Sequence, residues 1–205
     1  MKYYQLISNH KAPCPPSWEW VQANIGKIFC PECKNVLRKS IHEPINAVLG
    51  YNPPPGFRIE GLLTWVGLHI FHIKFIEQIR SYVDEYGFLV GKCFDNEKGL
   101  VPEYVTCYSP YYVIQRGNKD TGYRICETCG LIIQKQWWHG RQYLLKNTLE
   151  DQKIVQGERG SLYLDRDLRL SLDFDLWDDW DFEEVEILDE PEDGQNFEGY
   201  MDRLK

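Results

Sequence analysis

Two Cys-x-x-Cys pairs, Cys30/Cys33 and Cys126/Cys129, stand at either end of a 92-residue stretch, positions 34–125. No other feature constrains the fold as tightly. Two residues between paired cysteines let both sulfurs reach one ion while the N–H groups of the turn point at the sulfurs. Cys-Pro-Glu-Cys and Cys-Glu-Thr-Cys-Gly both have this form. Pro31 stiffens the first turn, and Gly130 follows the last cysteine where a positive φ is often needed. The reading is one shared structural zinc ion with Cys30, Cys33, Cys126 and Cys129 as its ligands. Four thiolates leave no open coordination position for water, so Lewis-acid catalysis is not expected. A redox Cys-x-x-Cys would open a helix, whereas Val36-Leu37 and Leu131-Ile132-Ile133 follow the two pairs as strand formers.

Seven cysteines, four of them in two such pairs, indicate metal ligation in a reducing compartment and not a disulfide framework. Cys14, Cys93 and Cys107 remain without an assigned role. MKYYQLISNH has no apolar segment behind its lysine, and no stretch approaches membrane-spanning length, so the expected location is the cytoplasm, with no membrane partner. With 205 residues, 43% of them apolar, the chain has enough material for one sizeable core.

The pattern predicts an α+β fold: mainly antiparallel sheet, a zinc-ribbon-like four-cysteine site and one main helix. KYYQLIS reads as an opening strand that ties down the N-terminus, and each knuckle as strand, tight turn and returning strand. YNPPPGFR is an extended connection. From about Leu62, the apolar spacing of Leu68, Phe71, Phe75, Ile79 and Val83 predicts a helix that Gly87 stops. FLVGKCF, YVTCY and YYVIQR read as strands, and QWWHGRQYLL as a strand or strand pair. Leu162, Leu164, Leu168, Leu170, Leu172, Phe174 and Leu176 alternate as in a long half-buried strand with room for one break near Arg166, and FEEVEIL returns alongside it. The organisation is therefore a domain over 1–155 with a long insertion at about 44–122 between the knuckles, an acidic β-hairpin over 156–193 packed on it, and a frayed tail over 194–205.

The net charge of −8 is local. Asp165–Asp193 carries fourteen carboxylates against Arg166 and Arg169, a balance of −12 that leaves the rest of the chain at +4. A focused negative patch steers basic partners and repels nucleic acid. Such a run is often only a solvated face. Trp177 and Trp180 within it favour an interface, because tryptophans serve as anchors inside a polar rim. A calcium loop is disfavoured, since no glycine-centred ligand spacing occurs.

Other constellations are weaker. His69 and His72 stand three apart on the expected helix, but no carboxylate completes a site before Glu77, so they read as a satisfied or surface pair. His139, beside Trp137, Trp138 and Arg141, could line a pocket with Cys107 or Tyr111, although a packed aromatic strand accounts for WWHG as well. Phosphate loops, nucleophile elbows and HExxH are absent. Lys34, Arg38, Lys39, Lys135 and Arg141 are a short basic set that would serve a second reading, a zinc-ribbon nucleic-acid-binding protein.

With the opening strand MKYYQL, the knuckles FCPEC and ICETCG, and the closing GSLYLDRDLRLSL and FEEVEIL, the chain resembles the bacterial double-CxxC immunity proteins of polymorphic and contact-delivered toxin systems. Lys34 stands where the glycine after the first pair is usual, and Leu172–Asp181 is more acidic than that pattern. The resemblance implies a non-enzymatic function: stoichiometric binding and neutralisation of a cognate toxin inside the producing cell. A basic toxin domain would suit the acidic end, with Asp175, Trp177, Asp178, Asp179, Trp180 and Asp181 as the partner-binding residues.

Overall fold

The computed structural model describes residues 1–8, 16–37, 41–50, 68–109, 115–117, 123–130, 132–134, 142–157, 161–173 and 180–190. Its largest sheet joins the two ends of the chain. Six strands lie in the order β10 (Ile154–Gln156), β11 (Leu162–Asp165), β1 (Tyr3–Ser8), β12 (Trp180–Leu188), β9 (Gln142–Leu145) and β6 (Gln115–Gly117). The opening strand does more than tie down a terminus: it is a central strand. Tyr3 faces Val185 on one side and Asp165 on the other, and Leu6 faces Phe182. Its alternation sends Tyr3 and Leu6 into separate apolar clusters.

A second sheet has the order β2 (Ala47–Val48), β4 (Leu89–Phe94), β5 (Leu100–Tyr108) and β3 (His69–His72). All four strands come from the 44–122 insertion, yet that segment shares a core with the terminal sheet. Phe71, Phe75, Ile76, Ile79, Val83 and Cys107 pack with Leu6, Ile154, Leu162, Leu164 and Leu168 in one buried cluster. Phe71 and Phe75 meet with ring centroids 4.7 Å apart, a contact worth about 0.5–1.5 kcal/mol beyond area burial. A buried hydrogen bond from Ser109 N–H to Gln156 Oε1 (3.0 Å) also joins the two sheets.

The α+β class holds, with one correction. Among the described residues the pairing is mainly antiparallel, as expected, with β12/β9 and β2/β4 as the parallel exceptions. The single main helix is replaced by a strand and two one-and-a-half-turn helices, α2 (Ile73–Gln78) and α3 (Arg80–Glu85), in addition to α1 (Trp18–Ala23). His-Ile-Phe-His pairs with β5 instead of coiling, His72 caps α2 by accepting from Lys74 N–H (3.2 Å), and Ile79 leaves helical geometry at φ −104. Buried Phe71, Phe75, Ile79 and Val83 produce the helical spacing from both elements together. Gly87, at φ +66, does end α3. Residues 62–67 of the expected helix lie outside the described residues.

The acidic hairpin expected over 156–193 takes a different form. β12 pairs with β1 and β9, and β1 separates it from β11. The long alternating strand stops at Asp165, whose Oδ1 accepts from Leu168 N–H (2.8 Å) and starts α4 (Arg166–Ser171). Leu168 and Leu172 are buried at helical spacing, while Leu170 is exposed. A backbone crossing fixes the second sheet. Thr106 Oγ1 donates to Ile45 O and accepts from Gly91 N–H (3.1 Å), and a Cβ at Gly91 would sit 2.1 Å from Ile45 O. Only glycine admits so close an approach. The expected tail over 194–205 lies outside the described residues.

Candidate metal centre

The second knuckle is a strand, a tight turn and a returning strand, as its apolar flanks predicted, whereas the first is a tight turn closed by a single bridge without flanking strands. Around the first pair, Phe29 bridges Val36 and Cys30 N–H donates to Asn35 O (2.7 Å). Around the second, β7 (Tyr123–Ile125) pairs antiparallel with β8 (Ile132–Gln134). The turns close alike: Lys34 N–H donates to Cys30 O (3.0 Å), and Gly130 N–H to Cys126 O (2.8 Å). Both closing residues have positive φ, +62 for Lys34 and +73 for Gly130. Gly130 adopts it freely, whereas Lys34 does so at some cost, and its Nζ turns back onto Pro31 O (2.6 Å).

These turns bring four thiols from remote parts of the chain together. Cys30 Sγ lies 3.6 Å from Cys126 Sγ, and Cys33 Sγ lies 3.4 Å from Cys129 Sγ. All four sulfurs fall within 4.8 Å of one another. A tetrahedral ion with metal–sulfur bonds of about 2.3 Å sets its sulfurs about 3.8 Å apart, so the cluster could hold one such ion with little rearrangement. Cys30 and Cys126 are buried, and Cys33 and Cys129 are partly exposed.

Burial opposes the Cys30 thiolate, but N–H groups of Cys33 and Glu32 and the neighbouring thiols outweigh it and bring the thiol below its ordinary range. At Cys126, burial and the nearby Glu32 carboxylate win, and the thiol is raised. Glu32 Oε2 lies 3.1 Å from Cys126 Sγ and accepts from Thr128 Oγ1 (3.4 Å), and Asn35 Nδ2 donates to Cys33 Sγ (3.4 Å). Glu32 and Asn35 are supporting residues missed by reading the cysteines alone. Their only sequence signal is their position within and just after the first pair.

Among the described residues, the other candidates do not assemble into a site. His69 and His72 lie on β3, where alternation sends them to opposite faces, so they share no ligand. Cys107 lies opposite His69, is fully buried, and has its thiol pushed up to about 12 by burial. Cys93 is buried in a different apolar cluster. His139, Tyr111, Arg38, Lys39, Lys135 and Arg141 lie outside the described residues, as do Cys14, Asp175, Trp177, Asp178 and Asp179. Trp180 opens β12 opposite Ser8, and Asp181, opposite Ile7, is exposed.

Along β12, Asp181 and Glu183 share one face and are exposed. Glu184 points to the other face, where Lys2 Nζ meets its two oxygens at 2.9 and 3.1 Å. Arg169 lies over the Tyr4 and Phe182 rings at 4.5 and 5.2 Å on that side. Among the described residues, no helix is long and apolar enough to cross a membrane. No protein-family model matches the chain, and no curated protein matches it.

Proposed function

We propose that this chain is a non-enzymatic, immunity-type protein of the cytoplasm that binds and neutralises a cognate toxin domain of basic character, and that its four cysteines hold a structural zinc. The observation that supports the reading is the separate placement of the cysteine cluster and the exposed carboxylates. The cysteine cluster offers a closed four-sulfur set joining distant segments, which suits a scaffold and leaves a substrate no place at the ion. The acidic residues stand elsewhere, with Asp181 and Glu183 exposed about 7 Å apart on a central strand held on both sides. Fixed carboxylates of one sign complement a basic partner and raise its association rate. Of the nucleic-acid alternative's basic set, Lys34 alone is among the described residues, and its Nζ is folded onto Pro31 O.

The test is to co-express the chain with the product of its neighbouring gene as the candidate toxin. Wild type should protect the cells and form an equimolar complex, and Asp181→Lys with Glu183→Lys should weaken both while leaving the fold intact. Growth arrest by the toxin despite abundant, folded wild-type protein would refute the reading.

A further inference from the structure

His69 occupies a position that an apolar residue would fill at less cost. It is fully buried, and neither of its ring nitrogens has a hydrogen-bond partner among the described residues. The ring stacks on Phe71, with centroids 5.5 Å apart and planes 11° apart, and lies directly across from Cys107. A buried imidazole with no partner loses its hydration in either tautomer, and its cation loses far more. Among the described residues, the strand that carries it is an edge strand: β3 pairs there with β5 alone, over His69–Cys107 to His72–Tyr104. It can therefore separate without breaking a pairing in the six-stranded sheet.

We propose that His69 is an acid-sensitive latch, and that protonation of its ring releases β3 from β5 while the six-stranded sheet stays paired. Among the described residues, no charged neighbour stabilises the cation in the closed form. From β5 the group opposite is the Cys107 thiol, neutral in this range. From α3, the Arg80 guanidinium acts on Cys107 with the same sign as an imidazolium, and Tyr82 contributes a phenol to the cluster, as does Tyr86 beyond the helix. Phe75 from α2, Val90 from β4, Ile154 from β10, Leu162 and Leu164 from β11 and Leu168 from α4 are not ionisable. His72 lies on the opposite face of β3, edge-on to Tyr104.

Burial alone holds His69 at about 3, against 6.5 for an exposed histidine. A lowered value favours the neutral ring in the closed form. Its contribution to closure is thus complete above pH 6.5 and is lost as pH falls from there towards 3. With those two values, moving from pH 7.0 to 5.5 raises the opening equilibrium about eightfold.

The experiment is hydrogen exchange followed by mass spectrometry on the full chain, with protection factors corrected for intrinsic exchange at both pH values. Wild type should lose about eightfold protection in peptides covering 69–72 and 105–107 between pH 7.0 and 5.5, with β1, β11 and β12 unchanged. His69→Leu should show no such loss, and His69→Phe serves if the leucine variant does not fold. NMR titration of the wild-type His69 ring is a check that needs no variant: silence down to pH 5 supports the latch, and titration near 6.5 overturns it. Equal acid-induced loss in wild type and variant, no loss in wild type, or equal loss across all strands would likewise overturn it.

Discussion

Replacing Cys126 with serine tests how much of the fold depends on the cysteine cluster. Cys126 and Cys30 are 96 positions apart in sequence and 3.6 Å apart at sulfur. Any bond network closing a loop of that length removes chain entropy from the unfolded state worth about 4–5 kcal/mol. Total stability for a protein of this size is about 5–15 kcal/mol, so losing the closure removes a large part of it. With each kcal/mol worth about 2–4 °C at 150–250 residues, Cys126→Ser should melt roughly 10–15 °C below wild type. The assay is thermal unfolding by circular dichroism, on wild type with and without a strong chelator and on the variant. Chelated wild type and Cys126→Ser should converge, because both lose the same closure. A variant melting within about 2 °C of untreated wild type would refute the reasoning, because the cluster would then be a chance meeting of thiols.

Gly91→Ala should cost about 3 kcal/mol or more in urea unfolding, because the new Cβ would press on Ile45 O and Thr106 Oγ1 at 2.1 and 2.5 Å. Asp165→Ala should lower stability by about 1–3 kcal/mol in the same assay, since it removes the α4 cap and the 2.6 Å contact with Lys153 Nζ. Asp181→Lys with Glu183→Lys should leave the protein folded and slow toxin association roughly tenfold at low salt, as read by stopped-flow or surface binding, with the difference shrinking as salt rises.

The knuckles were legible because their chemistry is local. A Cys-x-x-Cys turn with apolar flanks closes on its own backbone, and its form survived even with Lys34 at the positive-φ position. The α+β class was legible because aromatic and β-branched residues in runs such as Tyr3–Ser8 fit a pleated, half-buried surface. What failed were inferences about partners. Nothing in FEEVEIL indicates that Tyr3–Ser8 lies beside it or that Gln142–Leu145 joins it in parallel, because pairing is decided by remote segments. The expected helix held over α2 and α3 but failed at His69–His72, because period-3.6 and period-2 patterns coincide over short apolar runs and β5 offered that stretch a partner. Asp165 was the overlooked local signal, an N-cap followed by an acidic first turn in the middle of an alternating pattern.

The central claim is that Cys30, Cys33, Cys126 and Cys129 close around one zinc that holds the fold together. Elemental analysis of freshly purified protein, combined with unfolding on chelation, measures it most directly. The account predicts one zinc per chain, lost with the native circular dichroism when a chelator is added and restored with it when zinc is returned. Metal-free protein that melts at the same temperature as zinc-supplemented protein would contradict it.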